Sequence, residues 1–159
     1  MSSPNSGTRA RLYLLKRWMR PFWWRPGDAL IAIDTNVVVR YLTGDHPEQS
    51  RRARALIDGG PVFVPVTVVL EAEWVLRSAY GFSAPDVVRA VRAFGGLPTV
   101  TIEDAAHVAE ALDRAEAGMD FADALHLCRI AQCEAFATFD RRLIKAARAA
   151  DIGTVREPP

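Results

Sequence analysis

Short apolar runs alternate with helical stretches along this chain, and that alternation limits it to few folds. Residues 29–33 form a brief apolar run ending at Asp34, the pattern of a buried parallel strand. Val62–Val64, set between prolines, repeats the pattern, as do residues 99–102 and 135–138, with a weaker fifth run at 154–155. Helices are predicted between them, over residues 36–42, 47–57, 67–80, 87–94, 103–117, 121–132 and 141–150. Thr67 is placed as the N-cap of the third and Ser83 ahead of the fourth. Glycines follow several of the ends, Gly118 after the fifth among them. Strands joined through helices run parallel, so the pattern implies an α/β sandwich around a mainly parallel sheet. In such sheets, sites form beyond the carboxyl ends of the strands.

The chain has 159 residues, enough for one domain. Half of them are apolar and a quarter charged, an ordinary globular balance. The longest apolar stretch, residues 61–70, is half of the roughly 20 that a spanning helix needs, so no membrane role is expected. Cys128 and Cys133 lie five apart in a helical pattern, on different faces, where they cannot bridge. Free thiols and no metal–thiolate spacing fit a reducing cytoplasm. The net charge of +1 hides an asymmetry. Residues 1–28 carry six basic groups and one acid, interleaved with tryptophans; residues 29–159 carry 14 basic and 18 acidic groups. The first 28 residues therefore read as an extension or a mis-assigned start, with no secretory core, and residues 29–159 as the domain. A globally basic nucleic-acid binder is not indicated.

Carboxylates stand where such a sheet would place a site. Asp34 follows the first strand and Asp140 the fourth, each also positioned to cap the next helix. Glu71 and Glu73 fall in a helix apolar nearly all round, which is expected to be buried. They are about 200° apart, so both cannot face one point. Pairing of Glu73 with Arg77 at i+4 favours Glu71 as the inward one. Asp120 fits a helix cap, but Asp123, one turn further among apolar neighbours, is poorly explained by capping. His126 reads as a core residue more readily than as a ligand. No zinc spacing, phosphate loop or nucleophile elbow is present. Carboxylates without imidazoles suit hard cations, Mg²⁺ or Mn²⁺, which would relieve their mutual repulsion.

The segments IDTNVVVRYL, VPVTVVLEAEWVLR, DFADALHL and ATFDRRL, in this order, resemble those of PIN-domain ribonucleases. The likeness is strongest to the VapC-type toxins of VapBC toxin–antitoxin pairs. It spans about residues 30–155 and implies a PIN-like three-layer sandwich with a central four- to five-stranded sheet. Carried across, the acidic site falls on Asp34, Glu71, Asp123 and Asp140, with Asp120 an additional candidate ligand. Thr35, Asn36 and Thr138 match the polar positions that orient those acids. The resemblance implies one or two Mg²⁺ or Mn²⁺ ions and metal-assisted hydrolysis of RNA without a side-chain nucleophile. Arg40, Arg77, Arg141 and Arg142 are candidates for phosphate contact, though each also suits a solvated helix face. It further implies a cytoplasmic homodimer silenced by a VapB-type antitoxin, with DNA contacted only through that antitoxin. Two other readings compete. A haloacid-dehalogenase-like phosphatase wants a second Asp where this chain has Asn36. A catalytically inactive PIN-like binding module would have no need of the acid set.

Overall fold

Val62–Val64 (β2) is the middle strand of a three-stranded parallel sheet in the computed structural model, which describes residues 30–159. Ile31–Ala32 (β1) pairs with it on one side and Val100–Ile102 (β3) on the other. Among the described residues seven helices connect and flank the strands: Thr35–Thr43 (α1), Pro47–Gly59 (α2), Val66–Ser78 (α3), Ala84–Gly95 (α4), Ala105–Glu116 (α5), Phe121–Cys128 (α6) and Arg141–Ala149 (α7). Phe136–Ala137 (β4) and Val155–Arg156 (β5) form a second parallel pair. The architecture is the expected α/β sandwich, and every strand pairing described is parallel. The hydrogen bonds divide the five strands into three and two rather than one continuous sheet. The division follows the packing. β2 and β3 contribute Val62, Val64 and Val100 to the main core. β4 and β5 pack Phe136 and Val155 into a smaller cluster with Leu127, Leu143, Ile144 and Ala147.

Helix α6 serves both clusters. Phe121, Ala124, Leu125 and Cys128 face the main core, Leu127 the smaller one. Each fully buried Leu or Phe contributes roughly 1.5–3 kcal/mol over an exposed one, so this short helix is fixed by packing more than by its own length. No helix among the described residues is long and apolar enough to cross a membrane. The 1–28 segment, like Ala29, lies outside the described residues.

Three local expectations are corrected. Thr67 does not cap α3. The helix starts one residue earlier, with Pro65 at the cap position, and the Val66 N–H donates to the Glu103 carboxylate at 2.9 Å. That acid comes from just past β3, 37 residues away, so no local motif announces it. Helix α6 stops at Cys128 rather than at residue 132. There the Arg129 N–H closes a tighter turn onto the His126 carbonyl at 3.1 Å, and the Arg129 guanidinium pairs with Asp104 at 2.6 Å. Cys128 is consequently buried in the helix and Cys133 exposed beyond it, both free thiols. Finally, α3 is not enclosed all round: Trp74 is 64% exposed.

The ends of the other helices follow their sequences. Ser83 Oγ accepts from the Asp86 N–H to open α4. Gly118, after α5, sits at φ +101°, in a region that favours glycine. Gly44 ends α1 at φ +67°, its N–H bonded to the Arg40 carbonyl at 3.2 Å.

Candidate active site

Asp34, Asp120 and Asp140 each stand at a helix N-terminus and each caps with one oxygen. Asp34 Oδ1 accepts from the Val37 N–H at 3.0 Å. Asp120 Oδ1 accepts from Ala122 at 3.0 Å and Asp123 at 3.4 Å. Asp140 Oδ1 accepts from Arg142 at 2.7 Å and Leu143 at 3.2 Å. Capping and ligation are therefore not exclusive here, because capping occupies only Oδ1 of each carboxylate; Oδ2 stays clear of the cap, though in Asp120 it faces Arg77. The helix dipoles favour negative charge at these positions. Thr138 Oγ1 accepts from the Asp140 N–H at 3.0 Å, which fixes the backbone that carries the acid.

Thr35 follows Asp34 and points elsewhere. Its side chain is buried, and its hydroxyl donates to Glu71 Oε2. Glu71 itself is exposed. It lines a groove of about 380 Å³ with Glu73, Trp74, Arg77 and Asp120. The expectation that Glu71 is the inward acid of α3 is corrected: Glu73 is the buried one, 7% exposed. Its partner is Arg77, at 3.3 Å, as the i+4 spacing suggests. Burial raises the proton affinity of Glu73; Arg77 opposes that and Asp120 adds to it. Arg77 also lies 3.5 Å from Asp120 Oδ2, so one guanidinium serves two acids.

Asp123, half-buried in the first turn of α6, feels its neighbours. Burial raises its pKa above the ordinary carboxylate value, and the charges of Asp120 and Asp140 raise it further, with His126 partly offsetting them. His126 is exposed and stacks on Phe136, centroids 6.4 Å apart, rather than occupying a core position.

The candidate acids thus fall into two linked groups. Asp34 is joined through Thr35 to Glu71, and Asp120, Asp123 and Asp140 interact electrostatically. Glu71 and Asp120 meet in the α3–α6 groove. Among the described residues no three His, Cys, Asp or Glu side chains are gathered closely enough to hold a metal ion. The donors nevertheless fit Mg²⁺ or Mn²⁺ in kind, since all are hard carboxylate oxygens. A cation beside Asp123 would oppose the burial and the Asp120 and Asp140 charges that raise its pKa.

Asp34 and Asn36, both exposed, open instead on a larger cleft of about 660 Å³ between α1 and α2. Val37 and Arg40 line it from α1, and Gln49, Arg52, Ala53 and Leu56 from α2. Sequence reasoning singled out Arg40 and passed over Arg52 and Gln49. The signal was available: 49, 52, 53 and 56 share one face of a helix.

No curated protein matches this chain. A family model described as PIN domain matches residues 13–149, most of its length. The chain belongs to the PIN domain family, whose function is in general that of a nuclease.

Proposed function

We propose that this protein is a metal-dependent endoribonuclease that hydrolyses RNA phosphodiester bonds, and that it is the VapC-type toxic half of a toxin–antitoxin pair. The observation that carries the nuclease reading is the linked series of carboxylates. The Thr35 hydroxyl beside Asp34 donates to Glu71, Glu71 and Asp120 line one groove, and Asp120 and Asp140 act electrostatically on Asp123, whose pKa burial and those two charges raise. These carboxylates would hold one or two Mg²⁺ or Mn²⁺ ions. When bound, such ions activate water for attack at phosphorus and offset the charge of the leaving oxygen. Thr35 orients Glu71 through its hydroxyl, Thr138 fixes the start of α7 beneath Asp140, and exposed Asn36 stands beside Asp34.

Cleavage of total RNA by the purified protein, with Mn²⁺ or Mg²⁺ and with EDTA, is the test. Metal-dependent cutting is expected, and Asp34→Asn should abolish it along with any stabilisation by metal. Cutting that persists in the variant would mark a contaminant. The toxin role adds a homodimeric cytoplasmic protein and a VapB-type antitoxin, which alone would contact DNA. Its test is growth arrest on expression of this chain, relieved by Asp34→Asn.

The binding-module reading has one observation in its favour. Asp34, Asp120 and Asp140 already have structural work as caps, which a dead domain would also keep. A protein with neither cleavage nor a metal-induced rise in melting temperature would bear it out.

A further inference from the structure

We infer that the α1–α2 cleft receives the RNA strand beside the scissile bond, and that Arg52 is a positioning residue that holds one of its phosphates. The inference rests on the nuclease reading and adds a location for the substrate. Of the arginines near the acids, most are committed. Arg40 donates to Asp45, to Tyr80 Oη at 3.0 Å and to Gln49 Oε1 at 2.9 Å. Arg77 is held between Glu73 and Asp120. Arg141 pairs with Glu157 at 3.1 Å. Neither Arg52 nor Arg142 has a side-chain hydrogen-bond or ion-pair partner among the described residues, and of the two it is Arg52 that stands, exposed, in the cleft with Asp34.

The cleft has the chemistry of a nucleotide site. Asp34 and Asn36 stand on its α1 wall, Arg52 and Gln49 on its α2 wall. Arg40 fixes the Gln49 carboxamide oxygen, which leaves the amide N–H groups as donors. Val37, Ala53 and Leu56 supply an apolar surface for a ribose or base. The volume of about 660 Å³ suits a ligand of nucleotide size. An unpaired guanidinium matches a phosphate in charge and bidentate geometry. The α3–α6 groove, with three carboxylates and one shared arginine, would repel the same backbone.

The test compares Arg52→Ala and Arg52→Lys with the wild type and with Arg148→Ala, a change on α7 away from the cleft. Arg52→Ala should raise KM for RNA about tenfold with kcat nearly unchanged, and lower the salt slope of binding by about 1. Arg52→Lys should recover part of the loss. Melting temperature and the Mn²⁺-induced shift should match the wild type. An Arg52→Ala effect no larger than that of Arg148→Ala overturns the inference. So does unchanged RNA cleavage with weakened antitoxin binding, which would give the cleft to a protein. A second arm measures binding of a labelled single-stranded oligoribonucleotide by Asp34→Asn and Asp34→Asn/Arg52→Ala, with Mn²⁺ present. Loss of binding on removing Arg52 keeps the cleft assignment even if the wild type cuts nothing, so that only the nuclease reading fails. Absence of binding by Asp34→Asn itself overturns the cleft assignment.

Discussion

Along the α1–α2 cleft the charged side chains are Asp34, Arg40 and Arg52, whereas those of the α3–α6 groove are Glu71, Glu73, Arg77 and Asp120. One recess carries a surplus of positive charge and the other of negative. They meet at consecutive residues: Asp34 opens on the cleft, and the Thr35 hydroxyl reaches Glu71 in the groove. A nuclease must concentrate cations and bind a polyanion within a few ångströms, two demands that oppose each other on one surface. On the proposed reading those demands would be divided between two faces joined at the start of α1. The modest net charge of the chain conceals that division, which is why global charge says little about the substrate.

The largest effect should come from the acidic side. Asp123→Asn is expected to lower metal-dependent cleavage on the order of 10³-fold, equivalent to about 4 kcal/mol of transition-state stabilisation. The same change removes a charge that burial, Asp120 and Asp140 all disfavour. The metal-free melting temperature should therefore rise, by roughly 2 °C. A fall, seen by calorimetry, would mean that Asp123 supports the fold rather than the chemistry.

Arg77→Ala should matter less and in the opposite sense. It strips Glu73 of its partner, at a cost of about 1 kcal/mol once the exposure of the guanidinium is allowed for. Burial already raises the Glu73 pKa in the fold, so its charged form is a burden above that pKa and is relieved below it. The deficit of the variant should therefore shrink as pH falls from neutral through the raised Glu73 pKa. Urea unfolding at the two ends of that range measures this, and a deficit that grows on acidification would contradict it.

The smallest effect belongs to the basic side, where Tyr80 and Arg40 hold Asp45. Hydrogen bonds from Tyr80, then Arg40, bring the Asp45 pKa down to about 2 from its ordinary 3.8. The stabilisation is complete above the unfolded value and is lost as pH falls from about 4 to about 2. In Tyr80→Phe the Asp45 titration, followed by carboxyl NMR, should move up toward 3.8. An unmoved midpoint would show that Arg40 and Thr43 set it without Tyr80.

The alternation of strands and helices was legible because it is local: apolar runs, prolines and glycines mark the ends. So were the positions of Asp34 and Asp140 as caps at strand ends. Contacts between distant elements were not. Periodicity favoured Glu71 as the buried acid, but α3 has no clean polar stripe; exposed Glu71 accepts from Thr35, far away in sequence, while buried Glu73 is reached by the exposed Arg77. Thr67 offered a plausible cap, and Glu103 supplied the real one from across the fold. Arg40 and Arg52 are indistinguishable as residue types. Only the structure shows that the first is engaged by Asp45, Tyr80 and Gln49.

Helix α1 has a rotational phase, and much depends on it. The Asp34 cap on the Val37 N–H sets where the helix begins, while Val38 and Val39 key it into the core. A residue inserted after Thr35 would turn everything from Asn36 onward by about 100°. Val38 and Val39 would swing out, Arg40 would leave Gln49, and Asp34 and Thr35 would stay behind. Substitutions on α1 should therefore act in graded steps, whereas a single insertion uncouples the two faces at one stroke. Spacing at this joint is under as tight a constraint as any side chain.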